Sequence, residues 1–393
     1  MQHRRFLFLA LTCLPCVLLN TTLQAGDAGV TASDPFARRG FNFGHLRLHP
    51  TLSTDFTFTD NATRVEERTQ SDVLNDSAAG IEVLFRPMEH INTVFSYEVG
   101  WHDYLLDKSR DYLSHKAVAD VRVRNIFLEG FELSIYDSYL QSGNTGALEN
   151  NLLAFSRYAT NLAHIKAQYD FNRFSISGKY GYTLVDYFSR ANSTSDYIAH
   201  AGDIEGAFKF IPTRLVLFGS YNITRVVRST NIDNFDTHTV LAGVRGTYSK
   251  LQYSIGGGYS RAMLLSGDDT EEGPSLSARV GYTPHERLTL ALEASRRFVA
   301  SPQVGISSDL DIRVSASLRL TAHGKFTVDY TRNHSDRLVG ADQVSFAYNG
   351  AFDYKLSRFA SAIASFTRTE REVSSGTGGF VINEGRIGFR LAW

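Results

Sequence analysis

From about residue 45 to the C-terminus, apolar and polar side chains alternate in runs of roughly ten residues, each closed by turn residues. The run from Leu52 to Asn61 is representative. Leu52, Phe56 and Phe58 fall on one side and Ser53, Asp55, Thr57 and Thr59 on the other, because successive strand side chains point to opposite faces. The pattern predicts about 18 strands, the first near 45–59 and the last near 381–393. Others are expected at 77–87, 116–128 and 275–283. Short connections such as Phe171-Asn172-Arg173 and Ser249-Lys250 alternate with long polar ones such as Asp60 to Asp76, Gln141 to Ser156 and Leu265 to Pro274. That alternation predicts an all-β fold, a single closed antiparallel transmembrane barrel with short periplasmic turns and long extracellular loops. An even strand count also returns Trp393 to the side on which the first strand starts.

Which face is inside follows from the chemistry of the two faces. One carries Phe95, Tyr97, Val99 and Trp101, then Ile176, Tyr180, Tyr182 and Leu184, then Phe346, Tyr348, Phe352 and Tyr354, with no charge among them. The other carries 24 charges, among them Asp120, Arg122, Arg124, Lys166, Asp311, Arg313 and Arg386. A soluble sandwich would need a dry interior built from the first face of all these strands. A closed barrel of 16 to 18 strands has a lumen wide enough for water, so the charged face is expected inward, with those seven residues lining the lumen.

The first 25 residues change the picture of location. Arg4 and Arg5 precede an apolar run from Phe6 to Leu19, and Leu23-Gln24-Ala25 offers a cleavage site, the form of a secretory signal peptide. The expected division is a signal peptide at 1–25, a periplasmic N-terminal leader at 26–44 and the barrel at 45–393. Both cysteines, Cys13 and Cys16, leave with the signal, so no disulfide framework holds the mature chain. Loss of Arg4 and Arg5 leaves 38 basic residues against 41 acidic, a net charge of −3. No polybasic segment points to nucleic acid. Nor does any run after Ala25 approach the roughly 18 apolar residues of a membrane helix.

The C-terminal Ile387, Phe389, Leu391 and Trp393 alternate up to a terminal aromatic, which resembles the signal by which bacterial barrel-assembly machinery recognises its clients. Phe389, Leu391 and Trp393 are the expected assembly signal. The strand leading into Phe58-Thr59-Asp60-Asn61, followed by a long polar loop and an alternating strand, resembles the first hairpin of a family of β-barrel porins of the bacterial outer membrane. The resemblance implies a large Gram-negative outer-membrane barrel over about 45–393. Some members of that family are linked to exopolysaccharide export, which extends to this chain as a suggestion only.

Few residues along the chain fall in catalytic or metal-binding patterns. Gly256, Gly257 and Gly258 sit inside a strand pattern with no helix following, so close backbone approach is expected and not phosphate binding. Asp203 with Glu205, and Asp309 with Asp311, share a face but read as solvated lumen lining. His45 and His49 are separated by roughly 13 Å along a strand, too far for one metal. His200 falls with Ile198 and Ile204 on the lipid side, without a serine motif to make it a base. The expectation is therefore no enzyme, no cofactor and no metal. Expected partners are outer-membrane lipid, the barrel-assembly machinery, and polysaccharide or polysaccharide-export components. Two functions remain: a porin-like channel for hydrophilic solutes, or a closed structural or adhesive barrel acting through its loops. The 12 inward bases balance 12 inward acids, so weak ion selection is expected, narrowed if Gln141 to Ser156 folds inward.

Overall fold

The computed structural model describes residues 40–62, 69–143, 157–188, 196–228, 234–265, 270–301, 305–337, 341–375 and 379–393. Along these the strands are β1 Phe41–Phe43, β2 Leu46–Thr59, β3 Asp72–Met88, β4 Ile91–Tyr104, β5 Tyr112–Arg124 and β6 Phe131–Ser142. They continue as β7 Tyr158–Phe171, β8 Phe174–Tyr187, β9 Tyr197–Ile211, β10 Leu215–Arg228, β11 Phe235–Tyr248 and β12 Leu251–Leu264. The last are β13 Thr270–His285, β14 Leu288–Ser301, β15 Gly305–Arg319, β16 Gly324–Arg337, β17 Gln343–Lys355, β18 Ala360–Val373 and β19 Phe380–Ala392. Each of β2 to β19 pairs antiparallel with its neighbours in sequence, and β19 pairs back onto β2, closing an 18-stranded barrel. Closure satisfies every strand edge, the condition for carrying backbone polar groups through lipid. No described helix is long and apolar enough to cross a membrane.

Even-numbered strands run from the short-turn end to the long-loop end and odd-numbered strands return. The short turns use left-handed backbone: Asn172 and Ser249 take φ of 69° and 53° in the two-residue hairpins β7–β8 and β11–β12, a conformation that suits tight turns between right-twisted strands. Several strand ends differ from the sequence reading by up to five residues, and three of them have a visible cause. β5 ends at Arg124 and not near 128, because Asn125 turns left-handed at φ 54° and its side chain accepts from the Gly130 amide at 2.8 Å. β3 begins at Asp72 and β13 at Thr270, five residues earlier than expected in each case. Both extensions are polar enough to read as loop, yet each is paired along its length with β2 or β12.

The seam between β19 and β2 explains the Thr59-Asp60-Asn61 piece. Asp60 accepts from the Asn383 amide at 2.8 Å and from its Nδ2 at 2.6 Å, while Asn61 Nδ2 donates to the Val381 carbonyl at 3.2 Å. These bonds staple the first and last barrel strands at the loop end. At the turn end the Trp393 amide donates to the Pro50 carbonyl at 3.2 Å. Beyond it β1 pairs with residues 46–48 of β2, in line with β19, and so continues the seam. The expected signal peptide lies outside the described residues, as does the leader before residue 40.

Candidate permeation pathway

Directly opposed residues of an antiparallel ladder share a face, so the registers trace each face around the whole barrel. Phe56, Phe95, Ile176, Ile204, Phe352, Ile387 and Phe389 are all exposed on one face, the outward one. Leu391 shares that parity. The opposite face turns inward and carries Asp120, Arg122, Arg124, Lys166, Asp311, Arg313 and Arg386.

One cross-strand row on the inward face runs Asn92, Arg122, Ser134, Lys166, Lys179, Asp203 from β4 to β9, and Arg86 joins it from the bulged end of β3 through its side chain. Four of its seven members are basic. Arg86 donates to Asn92 Oδ1 at 2.6 Å, and Arg122 pairs with Asp120 on its own strand at 2.7 Å. Lys166 and Lys179 face each other across β7 and β8. Among the described residues neither forms an ion pair, and only Asp203, opposite Lys179, faces them as an acid in the row. Around Arg86, Arg122 and Arg124 the wall leaves a niche of about 270 Å³.

Elsewhere the inward charges pair along the wall. Arg124 meets Glu132 at 2.9 Å, Arg245 meets Glu205 at 2.7 Å, Arg279 meets Glu293 at 3.0 Å, Arg297 meets Asp311 at 3.5 Å and Arg313 meets Asp329 at 3.0 Å. Lys209 reaches Asp170, and Arg386 reaches Asp55. All of these partners lie on the same strand, on adjacent strands or on strands one apart. None of these pairs crosses the lumen.

The carboxylates expected as lumen lining face inward, and three of them meet neighbouring side chains. Glu205 is held by Arg245, Asp311 accepts from Asn333 at 2.6 Å, and Asp309 accepts from the Ser307 hydroxyl at 3.0 Å. Of the three glycines, Gly256 and Gly258 permit close approach, since a Cβ would fall 3.0 Å from the Phe218 ring at the first and clash with the Val240 carbonyl at the second, whereas Gly257 faces open space. Gly243 also makes room for Phe218, which lies beneath Arg245. His200 faces outward and its Nδ1 meets the Tyr180 hydroxyl at 3.1 Å. No group of three metal-ligating side chains occurs among the described residues.

One polar chain escaped the sequence reading because its members lie on three strands. His102 Nδ1 bonds Asp76, its Nε2 meets Ser114 Oγ at 2.8 Å, and Tyr112 stacks on the ring at 4.1 Å. Gly100, opposite Ser114, makes room: a Cβ there would fall 2.5 Å from Ser114 Oγ. The connectivity is that of a nucleophile relay. Ser114 is paired with Gly100 on the β4 edge, and the pairing of β5 with β6 begins one residue later at His115. The chain is a rigid polar lining of the lumen wall.

At the loop end of β7 to β11 the inward side chains are apolar and buried: Tyr158, Val185, Tyr187, Tyr197, Val226 and Phe235 form one cluster. That sector of the outer mouth is filled and not water-lined. Most of the segment expected to fold inward, 144–156, lies outside the described residues.

No family model matches the chain, and no curated protein matches it. Solved structures do. OccAB3 of Acinetobacter baumannii superimposes with a TM-score of 0.51 at 10% identity, covering 88% of this chain and 99% of that one. OccK2 (OpdF) of Pseudomonas aeruginosa gives 0.51 at 10% identity, covering 90% and 99%. OpdK of Pseudomonas aeruginosa with vanillate gives 0.50 at 8% identity, covering 88% and 99%. Identities this low speak for the fold. With the closed sheet and its apolar outward face, they make this chain a β-barrel of the bacterial outer membrane, built like the outer-membrane porins it superimposes on.

Proposed function

We propose that the barrel is a porin-like channel giving passive passage to small hydrophilic solutes. The observation that carries this reading is the lateral pairing of the inward charges. Charges that closed the lumen would bond wall to wall, whereas these bond neighbour to neighbour and leave the centre to water. Binding that is local and weak lets a solute enter and leave.

The inward row gives one level of the β3 to β9 wall a locally positive field, at Lys166 and Lys179, although the lumen charges balance overall, so small anions interact more with that level than cations do. OpdK, a structural neighbour, was solved with vanillate, a carboxylate. A small carboxylate is accordingly the first solute to try. Passage of a secreted polysaccharide is the narrower version of the proposal and rests on the family resemblance alone. The chain carries no enzymatic role in this reading; residues 1–25 are removed on export, and 26–44 remain as a short periplasmic leader.

A closed structural barrel is the competing reading, and the buried apolar cluster at the loop end of β7 to β11 is what favours it. Reconstitution into planar bilayers separates the two. A channel gives discrete conductance steps that a small carboxylate blocks transiently, and a closed barrel gives none.

A further inference from the structure

The outward face of the barrel carries five arginines: Arg225, Arg261, Arg296, Arg332 and Arg368. They stand 36, 35, 36 and 36 residues apart, on β10, β12, β14, β16 and β18, every one a strand running toward the loop end. Among the described residues of β2 to β19 no other Lys or Arg has outward parity. Each arginine lies eight or ten residues beyond the first residue of its strand. At about 3.3 Å per residue and the usual barrel tilt, that is about 20–25 Å above the turn end, the top of the lipid-facing band. Below them the outward positions of the same strands are uncharged: Leu217, Tyr221, Ile255, Leu290, Leu292, Phe326, Val328 and Phe366.

The arginines differ in what they meet. Arg225 is bidentate with Asp236 at 2.8 and 2.6 Å, Arg368 meets Glu370 at 2.5 Å and Arg261 lies 3.9 Å from Glu272. Arg296 instead donates to the Ser308 hydroxyl at 3.3 Å, and Arg332 lies over the Phe346 ring at 5.9 Å. These two flank β15, where Arg296 is level with Leu310 and Arg332 with Ile312. Neither has a carboxylate partner among the described residues, so their guanidinium forks are free for an anion. On β2 to β9 the loop-end outward positions hold no arginine and instead include Asp103, Asp137 and Asp186.

We propose that the outward faces of β14, β15 and β16 bind the phosphate groups of outer-leaflet lipid, with Arg296 and Arg332 as the paired anion contacts and Ser308 as a hydroxyl donor. Planar guanidinium groups match phosphate oxygens with two parallel hydrogen bonds. Their position at the edge of the apolar band puts them level with headgroups and not acyl chains. Lumen anions cannot reach them, because the wall separates the two faces.

The test uses the full barrel purified in a neutral detergent, with native mass spectrometry to count retained bis-phosphorylated lipid A. The Arg296→Gln/Arg332→Gln variant should retain about tenfold less than the native barrel, as loss of charge-assisted bonds to phosphate implies. The dephosphorylated lipid should bind both proteins equally, and inorganic phosphate at matched concentration should not displace the bound lipid. Folding of the variant is checked by the mobility shift between boiled and unboiled samples. A second variant, Lys166→Gln/Lys179→Gln in the lumen, should retain lipid as the native protein does. Equal retention by the folded outward variant, equal loss in the lumen variant, or displacement by inorganic phosphate would each overturn the proposal.

Discussion

The two sides of the lumen wall are built from the same residue types and behave differently. Along β13 to β19 and onto β2, Arg279, Arg297, Arg313 and Arg386 each meet a carboxylate, so their fields cancel locally. Along β3 to β9 Arg124 and Lys209 are paired in the same way, but four other bases gather at one level, where Lys166 and Lys179 stand opposite each other without an ion pair among the described residues. The lesson is that charge balance counted over a sequence does not fix the field in a pore. What fixes it is which residues the register places side by side.

The largest expected effect follows from reversing the basic wall. Lys166→Glu/Lys179→Glu should move the cation-to-anion permeability ratio toward cations about fivefold, since like-signed groups in a narrow aqueous passage set the local potential. Reversal potentials across a salt gradient measure it. For a matched single neutralisation, Lys179→Gln should shift the ratio by about twofold and Arg313→Gln on the paired wall by less, because the Asp329 left behind is screened by water. Equal shifts from both variants would erase the distinction between the walls.

Next in size is the seam where β19 meets β2. Asp60→Ala removes two accepted hydrogen bonds and should cost about 1–2 kcal/mol in urea unfolding at neutral pH. Desolvation pushes the Asp60 carboxyl up, but the hydrogen bonds from Asn383 and the nearby Arg368 outweigh it and hold the group below the usual 3.8 of an aspartate. A carboxyl lowered on folding contributes its stability above the unfolded value and loses it as pH falls through the folded one. The difference between native and Asp60→Ala proteins should therefore be full at pH 7 and shrink below pH 3.8. A difference that grows on acidification would reverse the sign and refute the assignment.

Arg313→Gln should cost about 1 kcal/mol or less, because the partly exposed Arg313–Asp329 pair is hydrated in the lumen. Smaller still is Ser114→Ala, expected to leave conductance unchanged and to alter no ester hydrolysis, since the native barrel should show none. Turnover of a nitrophenyl ester that this variant abolishes would make the His102 chain a catalytic one.

The closed barrel was legible in the sequence because a two-residue period survives in every strand and fixes parity wherever a boundary slips. Boundaries slipped at Asp72 and Thr270, where polar residues near the rim look like loop, and at Asn125, where a left-handed residue ends the strand before the apolar Ile126, Phe127 and Leu128. Parity gives the face of Arg122 or Asp311 but not its neighbours, which depend on strand register. For that reason the Lys166–Lys179 juxtaposition and the chain from Asp76 through His102 to Ser114 could not be read from spacing. The Thr59-Asp60-Asn61 piece was visible as a motif, and only its partner strand, some 320 residues away, gave it a purpose.

Single-channel recording of the purified native barrel in planar bilayers tests the central claim most directly. An open porin-like barrel gives stepwise ohmic conductance with a modest anion preference that Lys166→Glu/Lys179→Glu reverses. Silent bilayers containing correctly folded, heat-modifiable protein would contradict it and leave a closed barrel as the description of this chain.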